Sequence, residues 1–167
     1  MTKKGDLITT PLRFSMVSEG IFRSSYPAPV TYPFLETLHL RTLVCLQPED
    51  LRKELRDYCE EKGIEIVEAM VGINQEPFLF MNDVVVRGAI AKVLDPTSHP
   101  VMFFCSNGRL RTSCVTGCIR KVNKWCLTSI LAEFDQFVDD EGGVMDYRFI
   151  EAFRYVIQSK PITSVQI

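Results

Sequence analysis

Histidine, tryptophan and net charge are scarce in this chain: two histidines, one tryptophan and a formal charge of −2 in 167 residues. So small a charge gives no general attraction to nucleic acid or to an anionic membrane surface, and any anion site has to come from local arrangement. No run of eighteen apolar residues occurs, which argues against a membrane-spanning helix. The opening Met1-Thr2-Lys3-Lys4-Gly5-Asp6 is polar and has no apolar leader core. We read residues 1–11 as a disordered end and 12–167 as a single domain, long enough to bury a full core. No CxxC pair exists, and His39 and His99 lack ligand spacing, so neither zinc nor any other metal or cofactor is expected. The six cysteines, at 45, 59, 105, 114, 118 and 126, mostly sit in apolar patterns. That pattern suits reduced, buried thiols in a soluble cytoplasmic or nuclear protein.

What the chain does have is a stretch from Val101 to Trp125 around which the rest can be arranged. Four apolar residues, Val101-Met102-Phe103-Phe104, lead into Cys105-Ser106-Asn107-Gly108-Arg109-Leu110-Arg111, and a helix is expected to start near Thr112. A loop between a buried strand and a helix N-terminus aims successive backbone N–H groups at one spot, where an anion can sit against the helix dipole. Cys105 would lie at the floor of that cradle, and Arg111 could return a bidentate guanidinium to the same anion. Such a field favours a thiolate, the form in which cysteine is a nucleophile.

Spacing alone does not distinguish this stretch, because Cys114 and Arg120 are also six apart. That second pair falls in a helical pattern in which Val115, Cys118, Ile119 and Val122 make one apolar face, and no loop can form there. Cys105 instead follows a strand, is trailed by the permissive Gly108, and precedes Thr112, which is suited to cap or start the helix.

The remaining chain reads as strands alternating with helices. Short strands are expected at Leu12–Phe14 and Gly20–Arg23, then a helix at Pro33, a buried strand over Thr42–Leu46, and a helix from Pro48 to Lys62 stopped by Gly63. A strand follows over Ile64–Met70, and then an aperiodic loop, Val71–Phe78. Asn82 or Asp83 caps a helix whose stripe is Val86, Ala89, Ile90, Val93 and Leu94. Two more helices carry Ile130, Leu131, Phe134, Phe137 and Val138, and Phe149, Ile150, Phe153 and Val156, the second capped by Asp146. This order implies an α/β fold, a mainly parallel sheet flanked by helices, with ligands bound at the carboxyl ends of the strands. The loops at 71–78 and 105–111 both leave from there.

Several separated stretches resemble the plant and fungal atypical dual-specificity phosphatases, a branch of the cysteine phosphatases: Phe14-Ser15-Met16-Val17-Ser18-Glu19-Gly20-Ile21-Phe22-Arg23-Ser24, Phe34-Leu35-Glu36-Thr37-Leu38, Leu40-Arg41-Thr42, Glu76-Pro77-Phe78, the Cys105 loop, and Gly117-Cys118-Ile119-Arg120-Lys121 with Asn123 and Trp125. The resemblance implies a metal-independent phosphatase fold acting on small polyanionic phosphates, with inositol pyrophosphates favoured and some phosphotyrosine activity. It casts Cys105 as nucleophile, Arg111 and the loop residues Ser106, Asn107, Gly108, Arg109 and Leu110 as phosphate holders, and Thr112 as donor to the departing thiolate. The general acid has no clear match. Asn74 stands where an aspartate is usual, which leaves Glu76 as first substitute and Asp83 as second.

The chain departs from the family pattern within the loop itself. Phe104 replaces the usual histidine before the nucleophile, Asn107 a basic residue, Leu110 a second histidine, and Gln75 a lysine before the Glu-Pro-Phe triplet. Loss of the histidine is expected to slow the first step, so Phe104→His is expected to raise activity. Arg109 keeps one charge in the loop. Arg23, Arg41, Arg120, Lys121 and Lys124 are further cations, the last three read as a solvated helix face. Oxidants are expected to inactivate Cys105 reversibly, with Cys114 or Cys118 as resolving thiol. The alternative function is a pseudophosphatase that binds a phosphate ligand or a protein partner without turnover.

Overall fold

A computed structural model describes residues 7–47 and 51–155. The polar opening at 1–6, the Pro48 helix start, Val156 and the chain end lie outside the described residues. The elements are β1 (Ser15–Ser18), β2 (Ile21–Ser25), α1 (Tyr32–Leu38), β3 (Thr42–Cys45), α2 (Lys53–Lys62), β4 (Glu65–Glu68), α3 (Asp83–Leu94), β5 (Val101–Cys105), α4 (Leu110–Val122), α5 (Leu127–Val138) and α6 (Val144–Ala152). They build a sheet in the order β1-β2-β5-β3-β4. β1 runs antiparallel to β2, and the other pairings are parallel. This is the α/β architecture expected from the alternating pattern.

The central strand β5 is covered on both faces, each of its residues 3% exposed or less. Alternation sends Val101, Phe103 and Cys105 into the layer formed with α3, α4, α5 and α6, and Met102 and Phe104 into the layer under α1 and α2. In register, Cys105 lies beside Ser25 of β2, and Phe104 beside Ser24 on one side and Cys45 of β3 on the other.

Local chemistry explains most boundaries. Gly63 closes α2 in the left-handed region at φ 67°. Asn82 rather than Asp83 caps α3, its Oδ1 accepting from the Val84 and Val85 N–H groups at 2.8 and 3.4 Å. Asp83 is the first residue of α3 and pairs with Arg87 one turn on, at 2.6 Å. Among the described residues no helix is long and apolar enough to cross a membrane.

Four expectations need correction. The first strand begins at Ser15, not Leu12, because Arg13 takes φ 53° and breaks the extended run. The helix after the Cys105 loop starts at Leu110, so Thr112 lies within its first turn and does not cap it. Arg52 has extended backbone, so α2 starts at Lys53 and is shorter than expected, whereas Asp146 does cap α6, from within its first turn, its Oδ2 accepting from the Gly143 N–H at 3.3 Å. Arg120 is not on a solvated face. It is 7% exposed, grips Glu133 through Nε and NH2 at 2.9 and 2.8 Å, donates NH1 to the Val17 carbonyl at 2.6 Å, and lies 4.1 Å over the Trp125 ring. The reason is that α4 is packed against β5, α3, α5 and α6 at once, so residues Arg111 to Arg120 are all buried.

Truncating one partner of a largely buried ion pair strands the other. Arg120→Ala is expected to lose about 3 kcal/mol, which for a chain of this size lowers the melting temperature by on the order of 10 °C in a thermal scan.

Candidate active site

The Cys105 loop is short because both of its ends are anchored, by β5 before it and α4 after it. Within it, Gly108 takes φ 67°, and its Cα lies so close to β2 that an added Cβ would meet the Ser25 nitrogen at 2.7 Å and the Ser24 carbonyl carbon at 3.0 Å. Only glycine meets both demands at that position.

Three successive loop carbonyls are tied to the scaffold. The Ser106 carbonyl accepts from the Tyr26 N–H at 3.2 Å, the Asn107 carbonyl from Arg13 NH1 at 3.3 Å, and the Gly108 carbonyl from Arg23 NH2 at 2.7 Å. In a trans peptide the N–H points opposite to its carbonyl. Holding these three carbonyls toward Tyr26, Arg13 and Arg23 therefore turns the N–H groups of Asn107, Gly108 and Arg109 away from those three donors. A hollow at Cys105 holds about 80 Å³ and is lined by Ile73, Cys105, Ser106, Asn107, Arg109, Leu110 and Arg111.

Every loop residue singled out from the sequence is thus brought together, and Arg111, 4% exposed, reaches the hollow from the first turn of α4. Thr112 Oγ1 donates to Cys105 Sγ at 2.9 Å. A buried thiol at a strand end, a hydroxyl on its sulfur and a guanidinium lining the same hollow make an arrangement in which a thiolate could attack an oxyanion held there.

Arg23 is the residue whose part the sequence did not reveal. It is 1% exposed, and besides Gly108 it holds Ser113 Oγ at 3.0 Å and Thr116 Oγ1 at 3.3 Å, with its guanidinium 3.7 Å from the Phe137 ring centroid. Burial pulls its pKa down to about 10, which leaves it charged at neutral pH. Instead of adding charge to the rim, it braces the loop from beneath. The signal was a lone cation inside the apolar strand Ile21–Ser25. Asp139 was also missed; its Oδ2 lies 3.3 Å from both Arg13 and Arg109, and nothing local in the sequence marks it.

The other candidates lie farther off. Glu76 is exposed at the tip of the Gln75–Phe78 turn, and neither it nor Asp83 lines the hollow. Asn74 is buried and structural: its Oδ1 accepts from the Met81 N–H at 2.9 Å, and its Nδ2 donates to Asp146 Oδ1 at 3.2 Å. Asp146 also accepts from Cys114 Sγ at 3.6 Å, and burial raises its carboxyl above the usual range. Arg41 bonds the Thr97 carbonyl at 3.1 Å at the amino ends of the parallel strands, away from the loop. Lys121 and Lys124 lie at the other end of α4 beside Arg154. Cys114 and Cys118 are fully buried and their thiols are pushed well up, which makes both poor resolving partners. Phe104 is wholly buried in the α1/α2 layer with its ring edge-on to Tyr26, so a histidine there would enter an apolar layer at a cost of about 1–3 kcal/mol. Among the described residues no group of three or more His, Cys, Asp or Glu side chains is placed to hold a metal ion.

Two outcomes follow from this geometry. Gly108→Ala has to push the loop off β2, and the resulting misplacement is expected to cost about a hundredfold in the affinity of the hollow for tungstate, measured by calorimetry. Asp146→Asn removes a buried charge while keeping an acceptor for Asn74. Because the native state raises the Asp146 pKa, it binds more protons than the unfolded chain, so wild-type stability rises as pH falls toward the ordinary carboxylate value. The variant is therefore expected to gain on the wild type at neutral pH and to lose that gain in acid, as read from denaturant midpoints across pH.

Comparison with known proteins places the chain in a family. A family model described as the tyrosine phosphatase family matches residues 8–165. The inositol diphosphatase DSP4 of Arabidopsis thaliana is 39% identical over 149 residues, covering 89% of this chain and 75% of that protein. The inositol diphosphatase DSP1 of Oryza sativa is 39% identical over 147 residues, covering 88% of this chain and 66% of that protein. The crystal structure of the core catalytic domain of the PP-IP phosphatase SIW14 from S. cerevisiae, in complex with citrate, superposes with a TM-score of 0.81 at 32% identity, covering 89% of each chain.

Proposed function

The chain belongs to the tyrosine phosphatase family, and from that premise we propose that it hydrolyses the diphosphate group of inositol pyrophosphates through a phosphocysteine intermediate. The observation that carries the reading is the Thr112 hydroxyl 2.9 Å from Cys105 Sγ at the floor of a hollow that Arg111 also lines. The names of the relatives, inositol diphosphatases, supply the substrate class and favour hydrolysis over mere ligand binding.

The Cys105 thiolate attacks the terminal phosphorus. An Sγ–P bond forms, the bridging P–O bond breaks, and its electron pair leaves on the inner phosphate. Arg111 and the N–H groups of Asn107, Gly108 and Arg109 hold the equatorial oxygens as negative charge spreads over them. Water then attacks the phosphocysteine, an O–P bond forms, the S–P bond breaks with its electron pair returning to sulfur, the water's proton passes to solvent, and Thr112 donates to the returning thiolate. No metal enters either step. A phosphate departs more readily than the phenoxide of a tyrosine, so protonation of the leaving oxygen matters less here than for a phosphotyrosine. Glu76 is the carboxyl we assign to that lesser task, and its exposed place on the loop that also carries Ile73 is what supports it.

Phosphate release should be measured on an inositol pyrophosphate, inositol hexakisphosphate, a phosphotyrosine peptide and inorganic polyphosphate. The expected result is preferential turnover of the inositol pyrophosphate, abolished by Cys105→Ser, with Glu76→Gln slowing the phosphotyrosine peptide more than the diphosphate. Anion binding without turnover of any member would make the protein a receptor.

A further inference from the structure

The hollow above Cys105, at about 80 Å³, has room for one phosphoryl group and little more. A substrate with several phosphates must therefore lay most of its charge on one of two flanks. The first is the loop after β4, where Glu76, Phe78, Leu79 and Phe80 are all exposed. A carboxylate and three apolar side chains offer a polyphosphate no attraction.

The second flank is a groove of about 380 Å³ that shares Ser106 and Asn107 with the hollow, a size ordinary for a small-molecule site. Its walls are the segment from Thr9 to Arg13, the connection from Ser25 to Thr31, and Arg52 at the start of α2. The charged side chains that line it are Arg13 and Arg52, and no carboxylate lines it among the described residues.

The two arginines differ in what they are already doing. Arg13 is engaged with the Asn107 carbonyl and with Asp139, both at 3.3 Å. Arg52 gives its backbone N–H to the Tyr26 hydroxyl at 3.1 Å and lays its guanidinium over that ring, 5.0 Å from the centroid. Among the described residues no carboxylate lies within ion-pair distance of it. A guanidinium resting over an aromatic ring keeps donors for an oxyanion and has less rotamer freedom to lose when one arrives.

We propose that this groove is a second anion subsite and that Arg52 is its specificity-determining cation, binding a further phosphate of the same molecule whose terminal phosphoryl group sits at Cys105. For the substrate class this rests on the function proposed above. The subsite supplies, from α2, positive charge that Asn107 and Leu110 do not supply in the loop.

The test reads binding, so that it stands apart from turnover. In the Cys105→Ser protein, inositol hexakisphosphate and inorganic phosphate are titrated separately by calorimetry, with Arg52 intact or changed to Ala, Glu or Lys. Affinity for inositol hexakisphosphate is expected to fall about tenfold for Arg52→Ala and further for Arg52→Glu, with part retained by Arg52→Lys. Affinity for inorganic phosphate should move much less. Unchanged inositol hexakisphosphate binding in Arg52→Glu would overturn the subsite, and so would equal losses for both ligands, which would mean that Arg52 acts through the loop itself. A wild-type chain that hydrolyses no inositol pyrophosphate would sink the proposed activity, while the same titrations would still decide whether the groove holds a second phosphate.

Discussion

The hydrogen bond from Arg23 to the Gly108 carbonyl, 2.7 Å long and fully buried, is the constraint on which the site depends. A loop of small residues in water would turn its carbonyls and amides either way. Here the Gly108 carbonyl is held by a cation from below, the two before it are held by Tyr26 and Arg13, and the amides are left one direction to face. Burying a guanidinium is costly, as its lowered pKa reflects, and the cost is partly offset because its two terminal nitrogens meet Gly108, Ser113 and Thr116 while Phe137 covers its face. Taking the guanidinium away would leave those acceptors unsatisfied inside the protein, so the bond is structural and electrostatic at once.

The rest of the fold keeps that constraint in place. β5 sits between β2 and β3 and is buried throughout, so the strand end carrying Cys105 has no freedom to shift. α4 is enclosed along most of its length, which fixes Arg111 and Thr112 relative to the sulfur. The helix therefore needs polar residues that are satisfied internally, and Arg120 with Glu133 and the Val17 carbonyl is one such solution. By contrast the flanks of the hollow, the loop after β4 and the groove beside Ser106, are built from irregular segments. Rigid chemistry with variable surroundings is the usual division of labour in such sites.

The sequence was most informative where a signal is local. The apolar run before Cys105, the glycine after it, the helical spacing of α3 and α5 and the Gly63 stop all act over a few residues, and the structure carries each of them. It was least informative where contacts are long-range. Arg23 meets Gly108 from 85 residues away, and Arg120 meets Val17 from 103. Pattern reading assigns a charge on a helix to solvent by default, and that rule failed for Arg120 because a helix enclosed on several sides has no solvated face to offer. The shifted first strand has a different cause: left-handed backbone at an arginine has no signature in hydrophobic alternation.

The replacements in the loop become intelligible once the layers are separated. Phe104 belongs to the α1/α2 face of the sheet and Cys105 to the opposite face, so the side chain at 104 reports on packing with Tyr26 more than on the sulfur. Asn107 and Leu110 remove charge from the rim, and Asn74 is committed to Asp146 and Met81 in a buried tether. A site so arranged has no carboxylate in the lining of its hollow and fewer cations at its rim, yet keeps the thiol, Arg109 and Arg111. Such a site is best suited to a substrate that brings its own good leaving group and enough negative charge to be held at a distance. On the function proposed above, a diphosphate on a densely phosphorylated ring meets both demands, and a phosphotyrosine side chain, with a phenoxide to expel and a single phosphate, meets them less well.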